Sequence, residues 1–260
     1  MTITTIKERI KNILSANAVV KIREFKKQFS RAHKIEYSRR KKFYAQFVRP
    51  NDLCFDVGAS FGNRVAPLLA IGARVLAVEP QEICYTYLQF KFQKKIILVK
   101  KGIDEMPGIK KFHISDSSTI SSFSDEWISA VKQNRFINHR WAKSIDVEMT
   151  TLDSLINQHG MPAFIKIDVE GYELEALRGL SKPVKMISFE YTVPEQTYKI
   201  RECMNVVVLI SPDILCNYSV GESMDFALAK WVSATDFLEH IETDDFLGTG
   251  FGDIYLRNGN

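Results

Sequence analysis

Residues 53–62 read Leu-Cys-Phe-Asp-Val-Gly-Ala-Ser-Phe-Gly, and residues 75–79 read Val-Leu-Ala-Val-Glu. The first stretch is the apolar run Leu53–Phe55, then Asp56 and a turn carrying Gly58 and Gly62. The second is the apolar run Val75–Val78 closing on Glu79, 23 residues after Asp56. A strand ending in a glycine turn, then a helix, then a strand ending in an acid is the half-unit of a nucleotide-binding α/β fold.

The spacing of the glycines narrows the ligand. A dinucleotide fold uses Gly-x-Gly-x-x-Gly so that backbone can lie against a pyrophosphate. Here Ser60 stands between Gly58 and Gly62, and no Gly-Lys-Ser/Thr is present for a triphosphate. A ligand with no phosphate and a positive centre suits this turn better, which points to S-adenosyl-L-methionine (SAM). Its sulfonium favours nearby carboxylates, and Glu79 offers two oxygens to a pair of ribose hydroxyls.

Outward from this core, strand and helix alternate. The strands expected are Leu53–Val57, Arg74–Glu79, Ile96–Lys100, Ala163–Ile167, Met186–Phe189 and Val206–Ile210, with at least one more from 225–257. Extra strands are expected at Lys110–Ile114, after the Pro107-Gly108 turn, and at Ile145–Met149. The helices expected are one from Asn63, which can cap it, to a left-handed cap at Gly72, then Gln81–Phe92, one opened by Thr150 with Asp153 and closed at Gly160, and Gly171–Leu180. Ser115–Asp125 is a polar loop with six serines, followed by a helical patch around Trp127. This alternation implies a mostly parallel sheet with helices on both faces, whose ligands bind at the carboxyl ends of the strands.

The 260 residues, 45% hydrophobic and 25% charged, suffice for one sizeable α/β domain. No apolar run approaches the ~20 residues of a membrane helix, and the polar start has no leader pattern. Cys54, Cys84, Cys203 and Cys216 are scattered, as reduced buried thiols of a cytoplasmic protein would be, and no zinc spacing is present. Charge is uneven: residues 1–50 hold 14 Lys/Arg against 3 Asp/Glu, a net +11, and the remainder nets −7. Residues 1–49 therefore read as a basic helical extension and 50–260 as the catalytic domain. Within the extension, Ile3, Ile6, Ile10, Ile13 and Leu14 have helical spacing. A second helix over Val20–Ala45 has Ile22, Phe25, Phe29, His33 and Tyr37 as its inner stripe. Two readings of the basic arm stand side by side: a solvated helical cap, or contact with a polyanion such as an acidic glycan, an anionic membrane surface or nucleic acid.

The ordered motifs resemble a known family. They are Asp56-Val-Gly-Ala-Ser-Phe-Gly62, Val78-Glu79-Pro80, Thr151-Leu152-Asp153, Ile165-Lys-Ile-Asp-Val-Glu-Gly-Tyr-Glu173, Leu177-Arg-Gly-Leu180 and Ser188-Phe-Glu190. The series, from about Asp52 to Glu190, resembles the FkbM family of SAM-dependent methyltransferases, and the Lys-Ile-Asp-Val-Glu-Gly element is its most specific part. The serine loop and Trp127 resemble a subgroup of that family. Ser60 stands where the family usually has Asn, and the basic N-terminal segment lies outside the core pattern. The resemblance implies a class I Rossmann-like methyltransferase acting on oxygen of carbohydrates or secondary metabolites.

Roles follow at two levels. Gly58, Ala59 and Ser60 would lie along the methionine part of SAM, and Asp56 would fix the turn and reach the cofactor through its amine or a water. Glu79 would accept the ribose hydroxyls; Ile103 and Asp104 would flank adenine. Methyl transfer needs an acceptor oxygen that loses its proton while aligned with the sulfonium methyl. Asp168, Glu170 and Glu190 are the candidate bases or orienting groups. The first two could instead hold a divalent metal, or Asp168 could contact only the methionine end while Glu170 caps the helix after Gly171. Lys166, charged within an apolar strand, would pair with an acid such as Glu190. His113 and His139 read as surface or loop histidines. The expected acceptor is a glycan or small-molecule hydroxyl. The alternatives are a nucleic-acid methyltransferase using the basic arm, against which stand the missing Asn/Asp-Pro-Pro-Tyr/Phe motif and RNA-binding module, and a non-catalytic SAM-binding accessory protein.

Overall fold

The computed structural model describes residues 30–259. The Ile3–Leu14 helix and the stripe positions Ile22, Phe25 and Phe29 lie outside the described residues. Helix α1 (Arg31–Tyr44) is capped by Ser30, whose hydroxyl accepts from the His33 amide at 3.2 Å. His33 and Tyr37 are half-buried, and the stripe deepens past them into Arg40, Phe43 and Tyr44, which are fully buried.

Strands β1 (Leu53–Val57), β2 (Arg74–Val78) and β3 (Ile96–Val99) alternate with helices α2 (Val65–Ile71) and α3 (Glu82–Phe92). Asn63 does not cap α2: Arg64 holds the cap position without a side-chain bond, whereas Gly72 closes the helix in the left-handed conformation at φ 94°. Short β4 (Gly102–Ile103) and β5 (Gly108–Ile114) precede α4 (Asp125–Lys132) and β6 (Lys143–Thr150). Helix α5 (Leu152–His159) is capped by Thr151 rather than Thr150, through the Ser154 amide at 3.0 Å. Asp153 is spent elsewhere, accepting from the Ser181 amide and hydroxyl. Then come β7 (Phe164–Ile167), α6 (Glu173–Arg178), β8 (Met186–Thr192), α7 (Thr197–Ile210), β9 (Ile214–Val220), β10 (Val232–Ser233), α8 (Ala234–His240), α9 (Asp244–Leu247) and β11 (Phe251–Asn258).

One expected element changes type. Val206–Ile210 is the last turn and a half of α7, not a strand. Its β-branched run suits a strand locally. However, Ile200, Cys203, Met204 and Val207 are all buried, and that i, i+3, i+4, i+7 stripe holds the segment in a helix against the core. The sixth strand of the main sheet begins only at Ile214.

The main sheet runs β3-β2-β1-β7-β8-β11-β9-β10. From β3 to β8 all neighbours are parallel, and β11 inserts antiparallel between β8 and β9. Parallel strands buried on both faces explain the unbroken apolar runs that opened the sequence. This is the class I methyltransferase arrangement, α/β with a mostly parallel sheet and helices on both faces. One face packs on α5, α6 and α7 through Phe55, Ile165, Ile187 and Met204. The other packs on α1 and α2, where Phe43, Tyr44, Phe164 and Tyr255 sit together. A second sheet, β4-β6-β5, projects beside the carboxyl ends of the main strands. The four cysteines are buried and none is in a disulfide. Among the described residues no helix is long and apolar enough to cross a membrane.

Candidate active site

The carboxyl ends of β1, β2, β7 and β8 open into one solvent-connected cleft with an inner volume of about 190 Å³. Its lining includes Gly58, Ala59, Ser60, Glu79, Ile103, Asp168, Glu170 and Glu190. The strand-end reading therefore brings eight of its ten candidate residues to a single wall. Asp56 and Asp104 are not among the lining.

The glycine turn is built by close approach. Gly58 has φ 84°, and a Cβ there would overlap the carbonyl oxygen of Asp168. Only glycine lets the β1 turn and the β7 turn touch. Ser60 follows at φ 45°, a conformation L-residues adopt at a cost. Its amide donates to Glu79 Oε2 at 2.8 Å, and the Gln81 amide donates to Glu79 Oε1 at 2.7 Å. Glu79 is thus locked in place by its own turn, with a lone pair left on each oxygen for a ligand. Burial pushes its carboxyl up to about 7 despite the two amide donors.

Asp56 sits beneath the turn rather than in the cleft. It points from β1 to the face carrying Lys166 and is 1% exposed. Burial raises it to about 7, and its Oδ2 has no hydrogen-bond partner. Asp104 is likewise committed to protein: it pairs with Lys110 at 2.8 Å and accepts from the Glu105 amide. Lys110 also donates to the Tyr172 hydroxyl at 2.7 Å, which ties the small sheet to the Asp168–Tyr172 turn.

At the other end of the cleft, carboxylate oxygens of Asp168, Glu170 and Glu190 all lie within 4.8 Å of one another. Glu170 is held at φ 54°. It is not a helix cap: Tyr172 holds the α6 cap position without a side-chain bond, and Glu173 Oε1 braces the turn itself, accepting from the Val169 amide at 3.0 Å and the Gly171 amide at 3.2 Å. Gly171, at φ 86°, has the Trp127 ring where a Cβ would be. The serine loop is stitched over the same turn, with Ser122 Oγ donating to the Glu170 carbonyl at 2.6 Å. Ser118, Thr119 and Ser121 line the cleft, so the loop roofs the site.

Electrostatics divide the three acids. Lys166, fully buried, bonds Asp253 at 2.6 Å and stands 3.4 Å from Asp168. Its partner is therefore Asp253, from β11, rather than Glu190. Burial opposes its charge, and Asp168 and Asp253 overcome that burial and hold the ammonium charged. The carboxylates of Glu170 and Glu190 have no such partner among the described residues. Burial, then the neighbouring Asp168, pushes both well above the usual carboxylate range. In such a pair the ionised member is the one able to accept a proton. The trio offers oxygens to a divalent cation, though that cation would share Asp168 with the Lys166 ammonium.

Further residues line the cleft without having been singled out in the sequence: Arg64, Gln81, Phe112, Phe123, Tyr172 and Glu222. Phe112, Phe123 and Tyr172 form a continuous aromatic wall, with ring centres 4.6 and 5.4 Å apart. Glu222 follows β9 immediately after Gly221, so it too is a strand-end acid. His113 and His139 are paired with Asp125 and Asp116 away from the lining.

Comparison with known proteins adds the family. The pattern described as the Methyltransferase FkbM domain matches residues 56–220. A curated relative, hexuronic acid methyltransferase AglP of Haloferax volcanii, is 26% identical over 144 residues, covering 54% of this chain and 54% of its own. The chain thus spans about half the length of that relative. Among solved structures, a TehB-like SAM-dependent methyltransferase from Corynebacterium glutamicum has a TM-score of 0.49 at 10% identity, covering 95% of this chain and 99% of its own. Magnesium protoporphyrin IX methyltransferase from Synechocystis, solved with bound SAM, has a TM-score of 0.44 at 10% identity, covering 88% and 80%. With the family pattern spanning more than half its length, the chain belongs to the FkbM family of SAM-dependent methyltransferases.

Proposed function

We propose that the protein binds SAM in this cleft and transfers its methyl group to a hydroxyl oxygen of a carbohydrate or small-molecule acceptor. The observation that carries the reading is the polarity of the cleft. A buried, amide-locked acceptor, Glu79, stands at one end, and an unpartnered carboxylate pair, Glu170 and Glu190, stands at the other.

The lining fits the cofactor. Ser60 Oγ and Arg64 Nε are buried polar atoms without partners on the cleft wall, as expected where a polar ligand completes the hydrogen bonding. Glu79 would accept from the ribose hydroxyls, and Ile103 would cover an adenine face. When bound, SAM supplies an electrophilic methyl group on a positively charged sulfur. Asp168, Glu170 and Glu190 favour that charge by Coulomb attraction. Glu170 and Glu190, which burial raises above the usual carboxylate range and which face the cleft beside Asp168, would be the groups that accept the proton of an acceptor hydroxyl. The wall of Phe112, Phe123 and Tyr172 gives the apolar face of a sugar ring a surface to lie on. The hexuronic acid methyltransferase relative supports a sugar acceptor, at 26% identity.

The test is transfer of labelled methyl from SAM to a panel of neutral sugars, hexuronates and glycans. Label in an O-methyl ether that disappears in a Glu170→Gln/Glu190→Gln variant supports the reading. Label found only on nitrogen or carbon, or transfer undiminished in that variant, contradicts it.

A further inference from the structure

Two arginines and one glutamate form a bridge between the N-terminal helix and the cleft. Arg64, at the start of α2, donates from Nη2 to Glu222 Oε1 at 2.8 Å. Arg40, on α1, donates from Nη2 to Glu222 Oε2 at 3.3 Å and from Nη1 to Glu36 at 3.4 Å. Both arginine side chains are nearly covered, at 6% exposed for Arg40 and 11% for Arg64. Arg64 and Glu222 line the cleft; Arg40 stands behind them. Neither Arg40 nor Glu222 lies within residues 56–220, so the bridge joins the ends of the chain to its core.

The bridge pairs two guanidinium groups with two carboxylates, because Arg40 has Glu36 as a second partner, and on the lining Arg64 bonds Glu222. Arg64 also keeps Nε–H buried without a partner, and a buried donor left unpaired is costly. The other cation on the lining, Lys101, is paired with Glu148. Besides Glu222, the acids at the wall are Glu79, Asp168, Glu170 and Glu190, at or just after the ends of β2, β7 and β8. Arg64 is therefore the one cation on this lining, among the described residues, with a buried donor left for a carboxylate to fill.

The strand order says which carboxylate. A SAM molecule with its ribose at Glu79, after β2, and its adenine at Ile103, in β4, runs back across β1 with its amino-acid end toward Arg64. We propose that Arg64, steered by Glu222 and Arg40, receives the carboxylate of that amino-acid end, so that α1 is a working part of the cofactor site. This rests on the SAM reading above. The same chemistry would also take the carboxylate of an acidic acceptor, and the experiment separates the two.

Calorimetry on the full chain compares S-adenosylhomocysteine (SAH) with 5′-methylthioadenosine, which keeps the nucleoside and sulfur but lacks the carboxylate. Arg64→Met is expected to weaken SAH binding about 10–100-fold, the range of one charge-assisted bond, and to leave 5′-methylthioadenosine within about twofold. The unchanged second ligand also certifies that the variant is folded. Arg40→Met is expected to act in the same direction but less, since Glu222 then spends its whole charge on Arg64; Arg64→Lys should recover part of the loss. Equal weakening of both ligands, or of neither, overturns the proposal while the SAM reading stands. Intact SAH binding with lost binding of free glucuronate overturns it in favour of the acceptor's carboxylate. A wild-type chain that binds no SAH removes the SAM reading, and this proposal with it.

Discussion

Lys166→Met is the most severe single test of the site's foundations. The side chain is fully buried, and the substitution removes the ammonium that lies 2.6 Å from Asp253 and 3.4 Å from Asp168. Asp168 can recover by hydration, since its side chain is 25% exposed to the cleft. Asp253 cannot: it is 3% exposed, with the Tyr255 hydroxyl at 3.2 Å as its remaining donor. Breaking a buried pair from one side costs about 3–5 kcal/mol, against about 5–15 kcal/mol for a whole domain. Replacing both members by apolar groups is often close to neutral. Lys166→Met/Asp253→Leu should therefore lose less than the two single variants together, with a coupling of about 2–3 kcal/mol. Urea unfolding of the wild type, both single variants and the double variant reads this directly. A single-variant loss under about 1 kcal/mol, or a double variant as unstable as the sum of the singles, would refute the pairing.

Other consequences are as concrete. Gly58→Ala should abolish SAH binding or unfold the chain, because its Cβ falls on the Asp168 carbonyl and its φ of 84° disfavours any side chain; calorimetry with wild-type affinity would contradict the turn geometry. Glu170→Gln and Glu190→Gln should each slow methyl transfer by about 10²–10⁴-fold with SAH affinity retained; equal losses in rate and affinity would mean they hold the cofactor instead. In the unliganded protein, Asp56, Glu79 and Glu173 sit at about 7 when folded, against about 4 unfolded. The folded state thus binds more protons between those values, so stability falls as pH rises from about 4.5 to 7. Glu222, held at about 2 by Arg64 and Arg40 against the opposing effect of burial, works oppositely: its contribution is lost as pH falls from about 4 to 2. Urea midpoints should therefore be highest near pH 4, and a midpoint rising steadily from 5 to 7.5 would contradict the assignment.

Much of the fold was legible because parallel strands covered on both faces leave apolar runs, as in Leu53–Phe55 and Val75–Val78, and in Phe164–Ile167 with Lys166 as its one charge. The acids at their ends then located the cleft. What failed did so for stated physical reasons. Val206–Ile210 is rich in β-branched residues, yet tertiary burial along one stripe makes it helix. That displacement hid Glu222, which the strand-end rule would have found once β9 was set at Ile214–Val220. Lys166 pairs with Asp253, 87 residues away, and no local pattern announces a contact made through an antiparallel strand inserted last. Asp56 and Asp104 obey the strand-end pattern but turn to protein partners or neighbours, since alternation along a strand sends successive side chains to opposite faces. Glu170 does not cap the following helix, and Glu173 braces the turn instead by reaching back to the Val169 and Gly171 amides.

The most direct measurement is the crystal structure of the protein grown with SAH. The ribose hydroxyls are expected within about 3.2 Å of the Glu79 carboxylate, with the sulfur turned toward Asp168, Glu170 and Glu190. SAH seated elsewhere, or a ribose that leaves Glu79 bonded only to the Ser60 and Gln81 amides, would contradict the site described here.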